Sequence, residues 1–282
     1  MSGSSFLLRT ATVVVALPLF LLLIFILPHY NHLVLNIAVV LVAAVGAKEV
    51  ETLLTKRGFP TFAFLFPLAG LIPATTYLEV IGVVSPRWSL AVPTALVVLV
   101  MLRSLWVRGP QDLAPLLQRI STSLLVLIYP ALLLSFIVRL SALENASLVL
   151  FFFFSINFAN DIMAYLVGMF IGRSTKLNYP ISPNKSALGF AAGVLTAVGV
   201  AVLFKALFPR LLPLRYPITA LFGAVVGVLT IAGDLVESAL KRSAQVKDSG
   251  EIIPGRGGIL DSTDSWLFTA PVFYFVFLLI SR

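Results

Sequence analysis

Of the 282 residues in the chain, 59% are hydrophobic and 11% are charged, a composition too apolar for an ordinary soluble domain and typical of a polytopic membrane protein. Cysteine is absent and the only histidines are His29 and His32, which excludes disulfides, thiolate nucleophiles and clustered Cys or His metal sites. The net charge of +8 is spread over short loops between apolar runs, as the positive-inside rule produces, and does not indicate nucleic-acid binding.

A transmembrane helix needs about 20 mostly apolar residues. By that measure the sequence predicts an all-α protein with about nine membrane spans. The first is expected to be a retained helix rather than a cleaved signal peptide, because its apolar core is long and no Ala-x-Ala-like site follows it. The spans lie near residues 6–28, 33–50, 60–84, 88–107, 121–140, 146–172, 187–208, 216–240 and 265–281.

The charged loops predict the orientation of these spans. With the N-terminus in the cytoplasm, 14 of the 20 lysines and arginines fall on the cytoplasmic side. The segment from Lys241 to Asp264 is then cytoplasmic, and we expect a multi-pass protein of the bacterial inner membrane. Because the informative polar residues lie in the second half, we divide the chain into N-terminal helices (1–145) and a C-terminal region that carries the chemistry (146–282).

The sixth span and the loop after it contain the first group of polar residues. Asp161 follows four consecutive phenylalanines, Phe151 to Phe154, and a carboxylate in an apolar span needs a cation or a hydrogen-bonding partner. Arg173, Lys176 and Lys185, taken singly, also fit ordinary positive-inside charges. The loop contributes Arg173, Lys176, Ser182 and Lys185.

The eighth span ends in a second group. Asp234, Glu237, Ser238 and Lys241 are spaced i, i+3, i+4 and i+7 and so share one face of a helix. A plain salt-bridged helix end, with Glu237 against Lys241, is the alternative. Asp234 should lie below the membrane interface, where an ionisable group implies a function or a partner.

The loop before the last span is the third and most informative group. Its cations suit phosphates, its carboxylates suit a divalent cation, and its glycines let backbone amides approach a phosphate, as a nucleoside triphosphate site requires. The structural alternative is that Asp261 or Ser262 only caps the following helix. The residues of this group are Lys241, Arg242, Lys247, Asp248, Arg256, Gly257, Gly258, Asp261 and Asp264.

Eleven residues of this segment resemble, in order and spacing, the signature of the phosphatidate cytidylyltransferase family, also called CDP-diacylglycerol synthases. The run from Asn160 to Ser186 resembles a second motif of that family, so the resemblance covers about 155–270. It implies formation of CDP-diacylglycerol and pyrophosphate from CTP and phosphatidate, for phospholipid synthesis. The matching residues are Ser238, Lys241, Arg242, Lys247, Asp248, Gly250, Pro254, Gly257, Gly258, Asp261 and Asp264.

The resemblance implies a role for each candidate. Asp234, Asp261 and Asp264 would bind Mg²⁺, with Asp161 as a fourth carboxylate, and this set suits a two-cation site. Lys241, Arg242, Lys247 and Arg256 would hold the triphosphate and the lipid phosphate, and Asp248 would orient a lysine or the ribose. Arg173, Lys176, Ser182 and Lys185 would form the other wall, and Ser238, Gly257 and Gly258 would also contact substrate.

Three positions depart from the family pattern. Arg256 stands where the family has histidine, Ser262 where it has an arginine between the two aspartates, and Leu188 where it has a glutamate. We interpret the first two together: Arg256 would supply the positive charge that is missing at Ser262.

Two other functions stay open at this stage. A CTP-dependent lipid kinase of the dolichol or phytol kinase type would release CDP instead of pyrophosphate. A secondary transporter of an anionic solute would account for Asp161 and Asp234 inside spans, although no internal repeat supports it. The expected partners are CTP, phosphatidate and the lipid bilayer, and a homo-oligomer is compatible with the sequence.

Overall fold

The computed structural model describes residues 18–63, 65–106, 109–253 and 257–280, and the backbone alone of Arg173. In these residues the regular elements are helices, and no β-strand is formed. Backbone polar groups in a membrane must be satisfied within their own segment, which is why long apolar runs become helices. The helices are α1 (His29–Lys56), α2 (Leu65–Ala69), α3 (Leu71–Val80), α4 (Trp88–Arg103), α5 (Leu116–Leu127), α6 (Leu133–Leu140), α7 (Ala146–Phe170), α8 (Ala187–Leu207), α9 (Tyr216–Ser243) and α10 (Leu260–Ile280).

Six helices among the described residues are long and apolar enough to cross a membrane: α1, the continuous stretch Leu116–Leu140, α7, α8, α9 and α10. The predicted all-α, multi-pass fold is thereby confirmed. The predicted number of about nine spans is not matched in detail, because the spans expected at 60–84 and 88–107 are shorter apolar helices, Leu65–Val80 and Trp88–Arg103. Most of the span expected at 6–28 lies outside the described residues.

The stretch Leu116–Leu140 is continuous because a π-helical turn, Ile128–Leu132, joins α5 to α6. Pro130 lies inside this turn. Proline has no N–H to donate and its ring collides with the preceding turn of a regular α-helix. A wider π turn accommodates the ring without breaking the helix.

The described residues form two compact units. Unit 1 contains those up to 142 together with 240–262, and unit 2 contains 143–239 together with those from 263 onward. The division into residues 1–145 and 146–282 that we expect from the sequence stays a prediction. Residues 240–262, which that division places in the C-terminal region, belong to unit 1.

Unit 1 is held by polar contacts between its helices as well as by apolar packing. The hydroxyl of Ser123 accepts the backbone N–H of Phe62 at 3.0 Å, and the Asn36 amide donates to the Ser141 hydroxyl at 2.9 Å. These bonds satisfy groups that lipid cannot solvate.

Unit 2 has an aromatic core with a polar contact at its centre. Phe152, Phe153 and Phe273 are fully buried, and the ring of Phe273 lies 5.0 and 5.3 Å from the other two rings. The side-chain oxygen of Asn157 accepts hydroxyl hydrogens from Thr230 at 3.1 Å and Thr269 at 3.0 Å. One buried amide thus connects α7, α9 and α10.

Candidate active site

Asp261 organises the loop between α9 and α10 within unit 1. Its Oδ1 forms an ion pair with the Nζ of Lys241. Its Oδ2 accepts hydrogen bonds from the backbone N–H of Ser249 at 2.8 Å, the Ser249 hydroxyl at 2.9 Å and the N–H of Gly258 at 2.7 Å. The side chains of Lys241 and Asp261 are only 11% and 6% exposed. This buried ion pair therefore joins the last turn of α9 to the first turn of α10.

Glu49 of α1 is a second buried carboxylate on the same loop, and it is absent from the residues predicted from the sequence. Its Oε1 accepts the N–H of Ile259 at 2.9 Å, and its Oε2 accepts the N–H of Leu260 at 2.8 Å. The Ser249 hydroxyl lies 2.8 Å from Oε2 and donates its one hydrogen either to Glu49 or to Asp261. The signal in the sequence is the charged run 48–51 at the end of an apolar span. An ionisable group there needs a partner or a function.

The glycine-rich loop packs closely around the carboxylates of Asp261 and Glu49. Four loop N–H groups, those of Ser249, Gly258, Ile259 and Leu260, donate to Asp261 or Glu49. The glycine-rich turn suggests that its backbone N–H groups face a phosphate, but these four donate to carboxylates of the protein instead. Gly257 has a φ of 107°, a conformation that glycine adopts without strain. A Cβ at Gly257 would also lie 2.6 Å from Oδ2 of Asp261.

The remaining charged residues of the loop are accessible. Arg242, Lys247 and Asp248 are exposed, and the Arg242 guanidinium donates to the carbonyl of Val246 at 3.3 Å. These side chains are available to a ligand. Arg256 lies outside the described residues, so its assignment stays a prediction.

Unit 2 contains the other carboxylates. Asp264 is 7% exposed and Glu237 is fully buried. The carboxylate of Asp264 lies within electrostatic range of Asp161, Asp234 and Glu237. The hydroxyl of Ser265 lies 3.2 Å from Oδ2 of Asp161 and 3.1 Å from Oδ1 of Asp264. Because a hydroxyl has one hydrogen, it can donate to only one of these two oxygens at a time.

Gly233 brings two of these carboxylates together. A side chain at Gly233 would overlap the backbone carbonyl of Asp264, so glycine is required for α9 to approach α10 this closely. The neighbouring residue, Asp234, is thereby held near Asp264. The Gly233-Asp234 pair in the sequence thus combines a close helix contact with a functional side chain.

The loop between α7 and α8 reaches the same group. Lys185 forms an ion pair with Asp234, and the Ser238 hydroxyl donates to the other carboxylate oxygen of Asp234 at 3.3 Å. The loop folds back on itself, since the N–H of Leu177 donates to the carbonyl of Lys185 at 2.9 Å. Lys176 is exposed and Ser182 is partly exposed. The side chain of Arg173 lies outside the described residues.

Residues 7–280 match the sequence model of the cytidylyltransferase family. The chain belongs to this family. The match extends over the spans as well as over all three groups of polar residues. It therefore includes the N-terminal helices, which the resemblance at 155–270 left out.

Several curated relatives of the chain are named phosphatidate cytidylyltransferase. The phosphatidate cytidylyltransferase of Bacillus subtilis is 40% identical over 158 residues, which are 56% of this chain and 58% of the relative. That of Synechocystis is 48% identical over 130 residues, 45% of this chain and 42% of the relative. That of Thermotoga maritima is 36% identical over 173 residues, 59% and 62% of the two chains. The chain thus spans about half the length of the curated relatives that it matches.

The family's chemistry raises the question of a cation. Four carboxylates lie together in unit 2, and such a group favours a hard divalent cation, which relieves their mutual repulsion. The Ser265 hydroxyl can donate its one hydrogen to only one of the two carboxylate oxygens beside it. A cation nearby would compensate the charge of the other oxygen. Within the described ranges, no three acidic or histidine side chains converge closely enough to hold a metal ion as they stand. Asp234 forms an ion pair with Lys185 instead. A metal ion could bind Asp234 only if Lys185 moved away from its carboxylate.

Asp261 differs from the three aspartates of unit 2. Its Oδ2 already accepts two backbone N–H groups and lies 2.9 Å from the Ser249 hydroxyl, and its Oδ1 faces Lys241. A metal ion at Asp261 would have to displace Lys241. The predicted metal role of Asp261 stays a prediction, whereas its role in holding the loop is direct.

Proposed function

We propose that this protein transfers the cytidylyl group of CTP to phosphatidate, which gives CDP-diacylglycerol and pyrophosphate. The observation that carries the proposal is the family match over residues 7–280. Named phosphatidate cytidylyltransferases at 36–48% identity support the lipid substrate. The grouped carboxylates of unit 2 and the basic loop of unit 1 are of the residue types that such a reaction uses.

The reaction places few demands on acid–base groups. A phosphate oxygen of phosphatidate attacks the α-phosphorus of CTP, a new P–O bond forms, and the bond from that phosphorus to the β-phosphate oxygen breaks. The attacking oxygen is already anionic at neutral pH, so no general base is required. The difficulty is the approach of two anions, which calls for positioned cations. This agrees with a chain that has only two histidines.

The cationic side chains would bind the phosphates. Arg242 and Lys247 are exposed and can reach a triphosphate. Lys241 and Lys185 already neutralise Asp261 and Asp234. A lysine in that setting can exchange its carboxylate partner for a phosphate when substrate binds. Lys176, Ser182 and Arg173 are also proposed to bind substrate.

Asp161, Asp234 and Asp264 would hold Mg²⁺. Bound there, Mg²⁺ would supply positive charge to the α-phosphate and to the departing pyrophosphate. The chain's own contribution is to fix the three carboxylates: Gly233 allows the close helix approach, and Ser265 holds Asp161 and Asp264.

We expect purified protein in detergent, supplied with CTP, phosphatidate and Mg²⁺, to release one pyrophosphate for each CDP-lipid formed. Excess chelator should stop the reaction, because the proposed ligands are hard oxygen donors. Thin-layer chromatography of labelled CTP products, with a coupled pyrophosphate assay, measures both. Release of CDP with a newly phosphorylated lipid would instead identify a lipid kinase. Absence of any turnover would contradict the proposal.

The basic loop is proposed to face the cytoplasm, where CTP is found, in the bacterial inner membrane. Three spans, α7, α8 and α9, lie between residue 144 and the loop. If each of these helices crosses the membrane once, residues 144 and 251 lie on opposite sides of it. Both are exposed glutamates, and the sequence has no cysteine of its own.

This orientation predicts the labelling of two single-cysteine variants. In intact cells an impermeant thiol reagent should modify Glu144→Cys but spare Glu251→Cys, which should react only after permeabilisation. Ser249, although in the same loop, is 5% exposed and hydrogen-bonded, so a cysteine there would not report sidedness. Labelling of Glu251→Cys in intact cells would reverse the orientation and contradict nucleotide use.

A further inference from the structure

We propose that Glu49 is a positioning residue for the cytidylyl transfer proposed above, on which this inference rests. Glu49 is 5% exposed and lies on α1, about 200 residues away in sequence from the loop that it contacts. Both of its oxygens are used: Oε1 by the N–H of Ile259 and Oε2 by the N–H of Leu260 and the hydroxyl of Ser249. Through these bonds it fixes the first turn of α10.

The first contribution of Glu49 is that of a helix cap supplied from another helix. The first N–H groups of a helix have no partner within it, and a side chain just before the helix normally accepts one of them. Here the N–H groups of Ile259 and Leu260, at the start of α10, donate to Glu49. A negative charge at this end also interacts favourably with the helix dipole.

The second contribution is a connection to Asp261. The hydroxyl of Ser249 lies 2.8 Å from Oε2 of Glu49 and 2.9 Å from Oδ2 of Asp261. Asp261 in turn forms the ion pair with Lys241. Glu49, Ser249, Asp261 and Lys241 thus form one chain of contacts within unit 1, and Lys241 is the end of it that is proposed to meet a phosphate.

Two glycines of the loop make room for the Glu49 carboxylate. A Cβ at Gly250 would lie 2.6 Å from Oε1, and a Cβ at Gly258 would lie 2.5 Å from Oε2. At these distances any side chain would force the Glu49 carboxylate to move. The glycines at 250 and 258 therefore fit this loop to Glu49, which explains their place in the sequence without a ligand.

The variant Glu49→Gln tests this role because it keeps the size of the side chain. Glutamine has one accepting oxygen, so its NH₂ group must face at least one backbone N–H that Glu49 now satisfies. Glu51→Gln is the matched control. Glu51 lies on the same helix and is 7% exposed, but it forms an ion pair with Lys48 of that helix, at 2.7 Å.

We expect Glu49→Gln to lower kcat for CDP-diacylglycerol formation roughly ten- to hundredfold, since a displacement of about 1 Å can cost that much. The KM for phosphatidate and the melting temperature should change little. Hydrogen exchange of the segment 249–260 should become on the order of tenfold faster, the equivalent of one lost hydrogen bond. Glu51→Gln should match the wild type in kcat and in the exchange of this segment.

Two results would overturn the positioning role. One is unchanged hydrogen exchange of 249–260 in Glu49→Gln. The other is faster exchange with wild-type kcat, which would reduce Glu49 to a structural cap. If Glu49→Gln does not fold, Ser249→Ala takes its place. That variant removes the hydroxyl that contacts both Glu49 and Asp261 and keeps the backbone N–H bonds to both carboxylates, so it should lower kcat several-fold, and a wild-type kcat would overturn the inference.

Failure of the proposed function gives a different pattern. The wild type would then form no CDP-lipid, which would remove the reaction and the positioning role together. The exchange difference between Glu49→Gln and Glu51→Gln would persist, because it depends on the loop and not on turnover.

Discussion

Replacement of Asp264 by Asn is expected to lower CDP-diacylglycerol formation about a hundredfold or more, the scale of losing one contact in a preorganised electrostatic site. Asn keeps the side-chain oxygen that accepts the N–H of Ser265 at 2.6 Å and lies 3.1 Å from its hydroxyl. The charge is therefore the principal change. Initial rates at saturating CTP and phosphatidate, over a range of Mg²⁺ concentrations, measure the effect.

The same variant has a second expected signature in its stability. Asp264 lies beside three other carboxylates, so removing its charge relieves repulsion when no cation is bound. Mg²⁺ should raise the melting temperature of the wild type, since a ligand that binds only the folded protein stabilises it. We expect Asp264→Asn to lose most of this Mg²⁺-dependent shift without a lower melting temperature in chelator.

Asp112→Asn provides the control for this substitution. Asp112 lies in a short 3₁₀ turn, Pro110–Asp112, in unit 1. The same chemical change there should leave both turnover and the Mg²⁺ shift at wild-type values. Normal turnover in Asp264→Asn would instead mean that Asp264 serves only in local hydrogen bonding.

The spans could be predicted because apolar length is a local property of the sequence. The expected span at 216–240 corresponds to Tyr216–Ser243, and that at 146–172 to Ala146–Phe170. The last span shows where local reasoning ends. The span was expected at 265–281 and the helix was expected to begin near Asp261, close to its observed start at Leu260; what a local pattern could not give is that Glu49 of a distant helix accepts the N–H groups of Ile259 and Leu260.

The residue types of the site could likewise be predicted, but their pairings could not. Asp161 and Asp234 were identified as carboxylates in apolar spans and Asp264 as a carboxylate of the loop before the last span, and Asp264 lies within electrostatic range of the other two in unit 2. The partners Lys185 for Asp234 and Lys241 for Asp261 depend on helix packing that a single sequence does not reveal. Glu49 was missed for the same reason, since its partners lie some 200 residues away.

The ion pair of Lys241 and Asp261 gives the second large effect. Lys241→Met would leave Asp261, whose side chain is 6% exposed, as a buried charge without its cation. Breaking one partner of a buried pair typically costs about 3–5 kcal/mol, so we expect a loss of stability of that size together with loss of turnover. Denaturant unfolding in detergent measures the first and initial rates the second.

A double variant separates these two losses. Lys241→Met combined with Asp261→Asn removes the uncompensated charge and keeps an acceptor for the N–H groups of Ser249 and Gly258. Most of the lost stability should therefore return, whereas turnover should not, because the cation proposed for the phosphate is still missing. Arg242→Met is the control for stability, since the exposed neighbour should change it by only about 0.5 kcal/mol. A Lys241→Met protein as stable as Arg242→Met would mean that the pair contributes nothing to the fold, and recovery of turnover in the double variant would exclude Lys241 from phosphate binding.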